Sequence, residues 1–231
     1  MKIGGFQPVT LLDYPQKVAA IIFTSGCNMR CPFCYNSNLV MPEKIKKEKL
    51  LAEQELVDFL TGRKKYLDGL VITGGEPTGQ KDLLSFCLKM KKIGYNIKLD
   101  TNGLKPEIII GLLDNKAVDY IAMDIKGPLD QYEKFCGVGV ETDKIKKSIK
   151  IIKTSGLPYE FRSTLVKGLH RKSDIGLMAK TIKGATNYFL QNFNNQTEPL
   201  KKDLAGNSFS LKELEEFRYL ASKYVINVQI R

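Results

Sequence analysis

The sequence has no run of eighteen apolar residues, so no membrane-spanning helix is expected. Its first fifteen residues, MKIGGFQPVTLLDYP, lack the basic-then-apolar pattern of a secretory leader. Cysteine is scarce and unevenly placed. Three of the five fall within eight residues, while Cys87 and Cys136 stand alone, which is not the spacing of a disulfide framework. A reducing compartment follows, and cytoplasm is the expected location with no membrane partner. Histidine occurs once, at His170. Arginine clusters interleaved with aromatics are missing too, although the formal net charge is +11. The lysines are spread over prospective helices, as at Lys44, Lys46, Lys47 and Lys49, or Lys144, Lys146, Lys147, Lys150 and Lys153. That pattern reads as solvated helix faces suited to meeting an acidic partner, and nucleic acid is not expected.

What is present suffices for one sizeable domain over residues 1–231, with a core at about 15–192 and a terminal helix and strand at 210–231. Val18–Thr24 is a continuous apolar run and reads as a buried parallel strand, with residues 1–15 packed outside it as a hairpin or strand. Strands are then expected at Leu70–Thr73, Asn96–Asp100, Asp119–Asp124, Tyr159–Val166 and Thr186–Leu190, and a last one at Val225–Ile230. Helices are expected at Glu48–Leu60, Asp82–Ile93, 106–115 with Pro106 in its first turn, Asp143–Ser155 closed by Gly156, Ser173–Ile182 begun by Ser173 or Asp174, and Leu211–Tyr224. Residues 191–208, rich in Asn, Gln, Gly and Pro, read as loop. Alternation of strand and helix implies a parallel sheet with helices outside, either a barrel or an open doubly wound sheet. Both architectures place sites at the carboxyl ends of strands.

The segment Gly-Cys-Asn-Met-Arg-Cys-Pro-Phe-Cys-Tyr-Asn at 26–36 is the chemically richest. Cys27, Cys31 and Cys34 have helical spacing, yet Pro32 would cost a helix interior about 3 kcal/mol and Gly26 favours an irregular turn. A loop gathering three thiolates fits better. Zinc sites usually take four ligands as Cys/His pairs, and no fourth is near in sequence. An iron–sulfur cluster with one open iron is the favoured reading, with zinc or unligated thiols as alternatives. Cys87 reads as core packing.

With Gly74-Gly75-Glu76-Pro77 about forty residues on, the chain resembles the radical S-adenosylmethionine superfamily. Within it, LLDYPQK at 11–17, TGGEP, DTNG at 100–103, MDIKGP at 123–128 and PYEFRSTLVKGLH at 158–170 are similar to activating enzymes of glycyl-radical enzymes, in particular that of anaerobic ribonucleoside-triphosphate reductase. The resemblance implies an α/β fold, a partial (β/α)6 barrel. It implies that Cys27, Cys31 and Cys34 hold a 4Fe–4S cluster whose fourth iron binds S-adenosylmethionine, which one electron splits to a 5′-deoxyadenosyl radical. Contacts to that cofactor are implied for Phe33, Tyr35, Asn36, Gly74, Gly75, Glu76, Asp124, Lys126 and His170, and for Asp100 and Thr101 beside a monovalent cation. Tyr35 departs from the His found in many relatives, and Arg162 is a further candidate. The expected partner is a glycyl-radical enzyme, with an external reductant such as flavodoxin. The rival readings are a radical enzyme acting on a small heterocycle, of the deazaguanine-forming type, and a metal-binding interaction module without catalysis.

Overall fold

The computed structural model describes residues 1–41, 43, 45, 50–194, 199–201 and 208–231. The chain divides into two compact units, one of residues 1–28, 38–101 and 105–121, the other of residues 29–37, 102–104 and 122–231. Lysines 44, 46, 47 and 49 and most of the loop expected at 191–208 lie outside the described residues.

In the first unit, β1 (Ile3–Thr10) pairs antiparallel with β2 (Ala19–Thr24), as the packing of the first fifteen residues against the apolar run implied. Next come β3 (Gly69–Gly74) and β4 (Asn96–Thr101), with β2, β3 and β4 parallel in that order. Their registers set Ile21 beside Val71 and Val71 beside Lys98, so these three share a face. On it, Tyr14, Ala19, Ile21, Val71 and Tyr120 form a buried cluster with Phe23 against it. The helices are α2 (Glu53–Arg63), α3 (Leu83–Ile93) and α4 (Pro106–Asp114). Gly94 ends α3 in the left-handed conformation, its N–H reaching the Lys91 and Met90 carbonyls. Cys87, fully buried in α3, is the core residue expected.

One boundary is corrected here. The helix expected from Glu48 starts at Glu53, and residues 48 and 49 lie outside the described residues. Leu51 instead donates its N–H to the Ile3 carbonyl, a long-range bond that holds the backbone extended where periodicity alone pointed to helix. The short α1 (Ser37–Val40) follows the cysteine loop and had no counterpart in the sequence reading.

β5 (Tyr120–Asp124) carries the chain from the first unit to the second. There β6 (Tyr159–Leu165), β7 (Asn187–Asn192) and β8 (Asn227–Ile230) run parallel, which gives the last strand a definite place beside β7. The helices are α5 (Tyr132–Cys136), α6 (Thr142–Thr154), α7 (Lys172–Thr181) and α8 (Leu211–Ser222). Gly156, at φ +77°, follows the end of α6 as expected. α7 starts a residue earlier than expected, because Asp174 serves inside its first turn, accepting from the Arg171 N–H at 2.8 Å, rather than ahead of it. Ser210 and Glu213 cap each other's backbone N–H groups at the start of α8. Asn192 and Phe209 exchange two hydrogen bonds, of 2.8 and 3.0 Å, which join the end of β7 to the residues ahead of α8.

No helix among the described residues is long and apolar enough to cross a membrane.

At the end of β3 the chain passes so close to the start of the cysteine loop that a Cβ on Gly75 would stand 2.1 Å from the Gly26 carbonyl oxygen. Gly75→Ala is expected to lower stability by roughly 1–3 kcal/mol, read by chemical denaturation of the cluster-free protein. An unchanged midpoint would show that this approach is not tight.

Candidate active site

In the first unit, site residues collect at the carboxyl ends of β2, β3 and β4. The Gly75 N–H donates to the Thr24 carbonyl and the Glu76 N–H to the Gly26 carbonyl, both at 2.8 Å, so the turn after β3 is sewn to the backbone just before Cys27. Gly74 has φ +109°, a conformation natural to glycine, and a Cβ there would strike the Thr24 backbone. Glu76 is 2% exposed, and its Oε1 accepts from the Thr78 N–H (3.1 Å), the Thr78 hydroxyl (2.6 Å) and the Thr101 hydroxyl (2.7 Å). The structure thus brings Gly74, Gly75, Glu76 and Thr101 together. Sequence alone gave no hint that Thr101 positions Glu76, since the pair is twenty-five residues apart. A cavity of about 720 Å³ opens here, lined by Ser25, Gly26, Cys27, Asn28, Glu76 and Gln80 among others. Gln80, which the sequence reading overlooked, fixes the Ser25 carbonyl through its side-chain amide at 2.8 Å.

Asp100, next to the last residue of β4, has a partner on its own strand. Lys98, two residues earlier on the same face, places its Nζ 3.1 Å from Asp100 Oδ1. A free monovalent cation, implied by resemblance for Asp100 and Thr101, therefore does not fit these residues as they stand, because an ammonium already sits against the carboxylate.

The second unit holds the rest of the cysteine loop. Cys31 is buried and Cys34 half-buried, joined by a turn in which the Cys34 N–H meets the Cys31 carbonyl at 3.0 Å. The Arg30 N–H bonds the Cys136 carbonyl at 2.8 Å, tying the loop to the end of α5. Leu200 and Lys201 donate their N–H groups to the Cys34 and Pro32 carbonyls, at 2.9 and 2.8 Å. The chain beyond β7 thus returns to pin the loop, which composition could not show. Tyr35 stacks on Phe193, with centroids 5.2 Å apart, and its hydroxyl accepts from the Asn194 N–H. Its ring is occupied by protein on that face. Asn36 is half-buried, and its backbone N–H favours a thiolate at Cys34. Burial pushes the Cys34 thiol up, while that N–H and the cations Lys126 and Arg30 pull the other way.

At the end of β5, Asp124 lies between two cations, with Lys126 Nζ at 3.0 Å and Arg162 Nε at 2.9 Å. Both polar side chains of the MDIK segment do face one side, and Arg162 joins them as β6 comes alongside. Burial pushes the Asp124 carboxyl up, but Arg162 and Lys126 outweigh it and hold the group at about 2. Burial disfavours charge on Lys126 as well; Asp124 and then Cys31 more than restore it, and its pKa is raised. Phe33 is buried, its ring centroid 5.9 Å from Lys126 Nζ and 6.0 Å from the His170 ring.

His170 is brought to this end but turned inward. It is 3% exposed, its Nδ1 accepts from the Val166 N–H at 3.1 Å, and its Nε2 lies 2.9 Å from the Lys126 carbonyl. That pattern assigns the Nε2–H tautomer, donating to Lys126 and so fixing the backbone that carries the Lys126 side chain.

The Radical SAM superfamily profile matches residues 21–177. The chain belongs to the radical SAM superfamily. It is 36% identical, over 99% of its length and 95% of the relative's, to a Methanocaldococcus jannaschii protein that carries the provisional name glycyl-radical enzyme activating enzyme. It is 28% identical to the pyruvate formate-lyase-activating enzyme of Clostridium pasteurianum, over 80% of this chain and 78% of that one. Among solved structures, Streptococcus suis SuiB bound to precursor peptide SuiA superposes with a TM-score of 0.65 at 16% identity, over 90% of this chain and 48% of that one. That likeness is one of fold: the α/β class with mostly parallel strands is the one expected from the sequence. This chain spans about half the length of that structure.

The donor set suits the cluster of a radical SAM enzyme. Cys27, Cys31 and Cys34 form no disulfide and lie on one short loop, and Lys126 of the second unit stands near Cys31 and Cys34. Among the described residues no three His, Cys, Asp or Glu side chains converge as ligands of a single metal ion. A 4Fe–4S cube asks for less convergence, because each thiolate binds a different iron.

His170 offers a direct check. Burial holds its pKa below the ordinary 6.5. A group depressed in the folded state contributes stability that is full above the unfolded value and is lost as pH falls toward the folded one. Unfolding free energy of the cluster-free protein should therefore fall as pH drops below the ordinary histidine range, and His170→Gln should flatten that slope. Equal slopes in both proteins would remove His170 as the cause.

Proposed function

We propose that this chain uses a 4Fe–4S cluster on Cys27, Cys31 and Cys34 to cleave S-adenosylmethionine reductively and set a glycyl radical on a partner enzyme, anaerobic ribonucleoside-triphosphate reductase being the favoured partner. The observation that carries this reading is the cysteine loop, whose leading backbone is bonded to the GGEP turn by Glu76 N–H and Gly26 carbonyl, in a chain so similar over its length to an activating-enzyme relative. When bound, the cluster supplies the electron that breaks the sulfonium carbon–sulfur bond, giving methionine and a 5′-deoxyadenosyl radical that takes a hydrogen atom from a glycine Cα of the partner.

The chain's own residues bind and orient. Gly74 and Gly75 let backbone approach the cofactor, and Glu76, its carboxylate fixed by Thr78 and Thr101, offers a fixed negative charge to the cofactor's ammonium. Asp124, Lys126 and Arg162 present one anion and two cations suited to an amino-acid zwitterion. Phe33, Tyr35, Asn36 and His170 complete the proposed set: Phe33 and His170 pack around Lys126, Tyr35 steadies the loop, and Asn36 favours the Cys34 thiolate. The monovalent cation named by resemblance is left out of the set, because Lys98 already stands against Asp100. Residues 1–231 are taken as one functional domain, working in the cytoplasm with an external donor such as flavodoxin.

Cys31→Ala should abolish deoxyadenosine formation from S-adenosylmethionine under reduction. Cys87→Ala should retain it and lose roughly 1–2 kcal/mol of stability. Equal activity in the two variants would contradict the ligand assignment. An electron paramagnetic resonance doublet should then appear on anaerobic ribonucleotide reductase incubated with the reduced enzyme. Turnover of a small heterocycle with no such doublet would replace the partner reading with the rival one, and a colourless, iron-free protein after reconstitution would end both.

A further inference from the structure

Lys98 is the least expected charge in the molecule. It sits in mid-strand on β4 and is 1% exposed, beside Val71 and within the face that carries Tyr14, Ile21 and Tyr120. A parallel strand buried to this degree ordinarily takes Val, Ile or Leu at such a position. A buried ammonium is costly unless paired and hydrogen-bonded, and Lys98 has both provisions. Its Nζ donates to the Asp13 carbonyl at 2.6 Å and forms an ion pair with Asp100 at 3.1 Å. The Tyr120 ring lies 5.8 Å away and adds a favourable quadrupole. Asp13 is itself held by the Thr10 hydroxyl, so the carbonyl that meets Lys98 belongs to a braced turn after β1.

We infer that Lys98 is a positioning residue for the cofactor site, a built-in cation that neutralises Asp100 at the end of β4 and makes the chain independent of a bound alkali ion. The inference rests on the proposed function and adds to it that the cofactor's carboxylate approaches the end of β4 at Asp100 and Thr101. Two neighbouring carboxylates repel, and a cation next to them relieves that repulsion. A diffusible ion could do this, but Lys98 supplies the charge covalently, with no ion to lose. The same strand end then carries two settled side chains, Asp100 paired with Lys98 and Thr101 bonded to Glu76. An ammonium held by a backbone carbonyl from the turn after β1 also ties that turn to the site, without itself meeting the reacting atoms.

The test compares S-adenosylmethionine binding to the cluster-reconstituted protein in potassium and in tetramethylammonium buffers of equal ionic strength. Wild type should bind equally in both. Lys98→Met should bind roughly tenfold or more weakly in tetramethylammonium and recover in potassium, while Lys98→Arg, which keeps a cation, should show no potassium dependence. A wild type that loses binding without alkali ions would overturn the inference, as would a Lys98→Met protein indistinguishable from wild type in both buffers. Melting temperatures of the cofactor-free proteins give a second readout: potassium should raise that of Lys98→Met and leave wild type unmoved, and no such difference would count against the inference. Should Lys98→Met fail to fold, the wild-type and Lys98→Arg comparisons still decide it. If no form binds S-adenosylmethionine in either buffer, the proposed function fails, and the melting comparison alone judges the pair.

Discussion

Two backbone hydrogen bonds carry much of this site: the Gly75 N–H to the Thr24 carbonyl and the Glu76 N–H to the Gly26 carbonyl. They make the turn after β3 an extension of the pairing between β2 and β3, so that the first residues of the cysteine loop and the GGEP turn share one register. The close approach explains the glycines at 74 and 75, where side chains would strike backbone, while Gly26 answers to its own φ of +97°. It also explains why Glu76 can be buried. Its carboxylate arrives where the Thr78 and Thr101 hydroxyls are already in reach, and a buried carboxylate is tolerable when donors surround it.

Two carboxylates near the strand ends are paired with cations, Asp100 with Lys98 and Asp124 with Lys126 and Arg162, whereas Glu76 is held by hydroxyls. Such pairs are weak evidence for stability, because desolvation offsets the Coulomb gain. Their value here is orientation. Under the proposed function, a zwitterionic cofactor would find donors and acceptors already aimed, so less reorganisation would fall on the binding step. His170 serves this arrangement from behind, as a neutral imidazole bonded at both ring nitrogens that steadies the backbone at Lys126 and Val166.

Much of this was legible in the sequence. The apolar runs of β2 and β3, Pro106 opening α4 and Gly156 after α6 all appear where periodicity and capping chemistry put them, because each depends on neighbours within a few residues. Where long-range bonds compete, sequence reading failed. Leu51 answers to Ile3 and not to the helical period of its neighbours. The short α5, which receives the Arg30 N–H, carries too few residues for periodicity to show.

The sequence by itself determined the chemistry on offer: three thiols on a turn that Pro32 keeps from being helical, a glycine pair before a glutamate, and polar residues at strand ends, all consequences of local covalent structure and spacing. Tertiary structure alone decided who meets whom. It set Thr101 on Glu76, Lys98 on Asp100, Phe193 against Tyr35 and Leu200 on the Cys34 carbonyl, pairs separated by between two and a hundred and sixty-six residues. Even the nearest of these needed the strand to be buried before its lysine had reason to seek a carboxylate. Burial removes water as a partner, and only the folded chain determines which groups lose it.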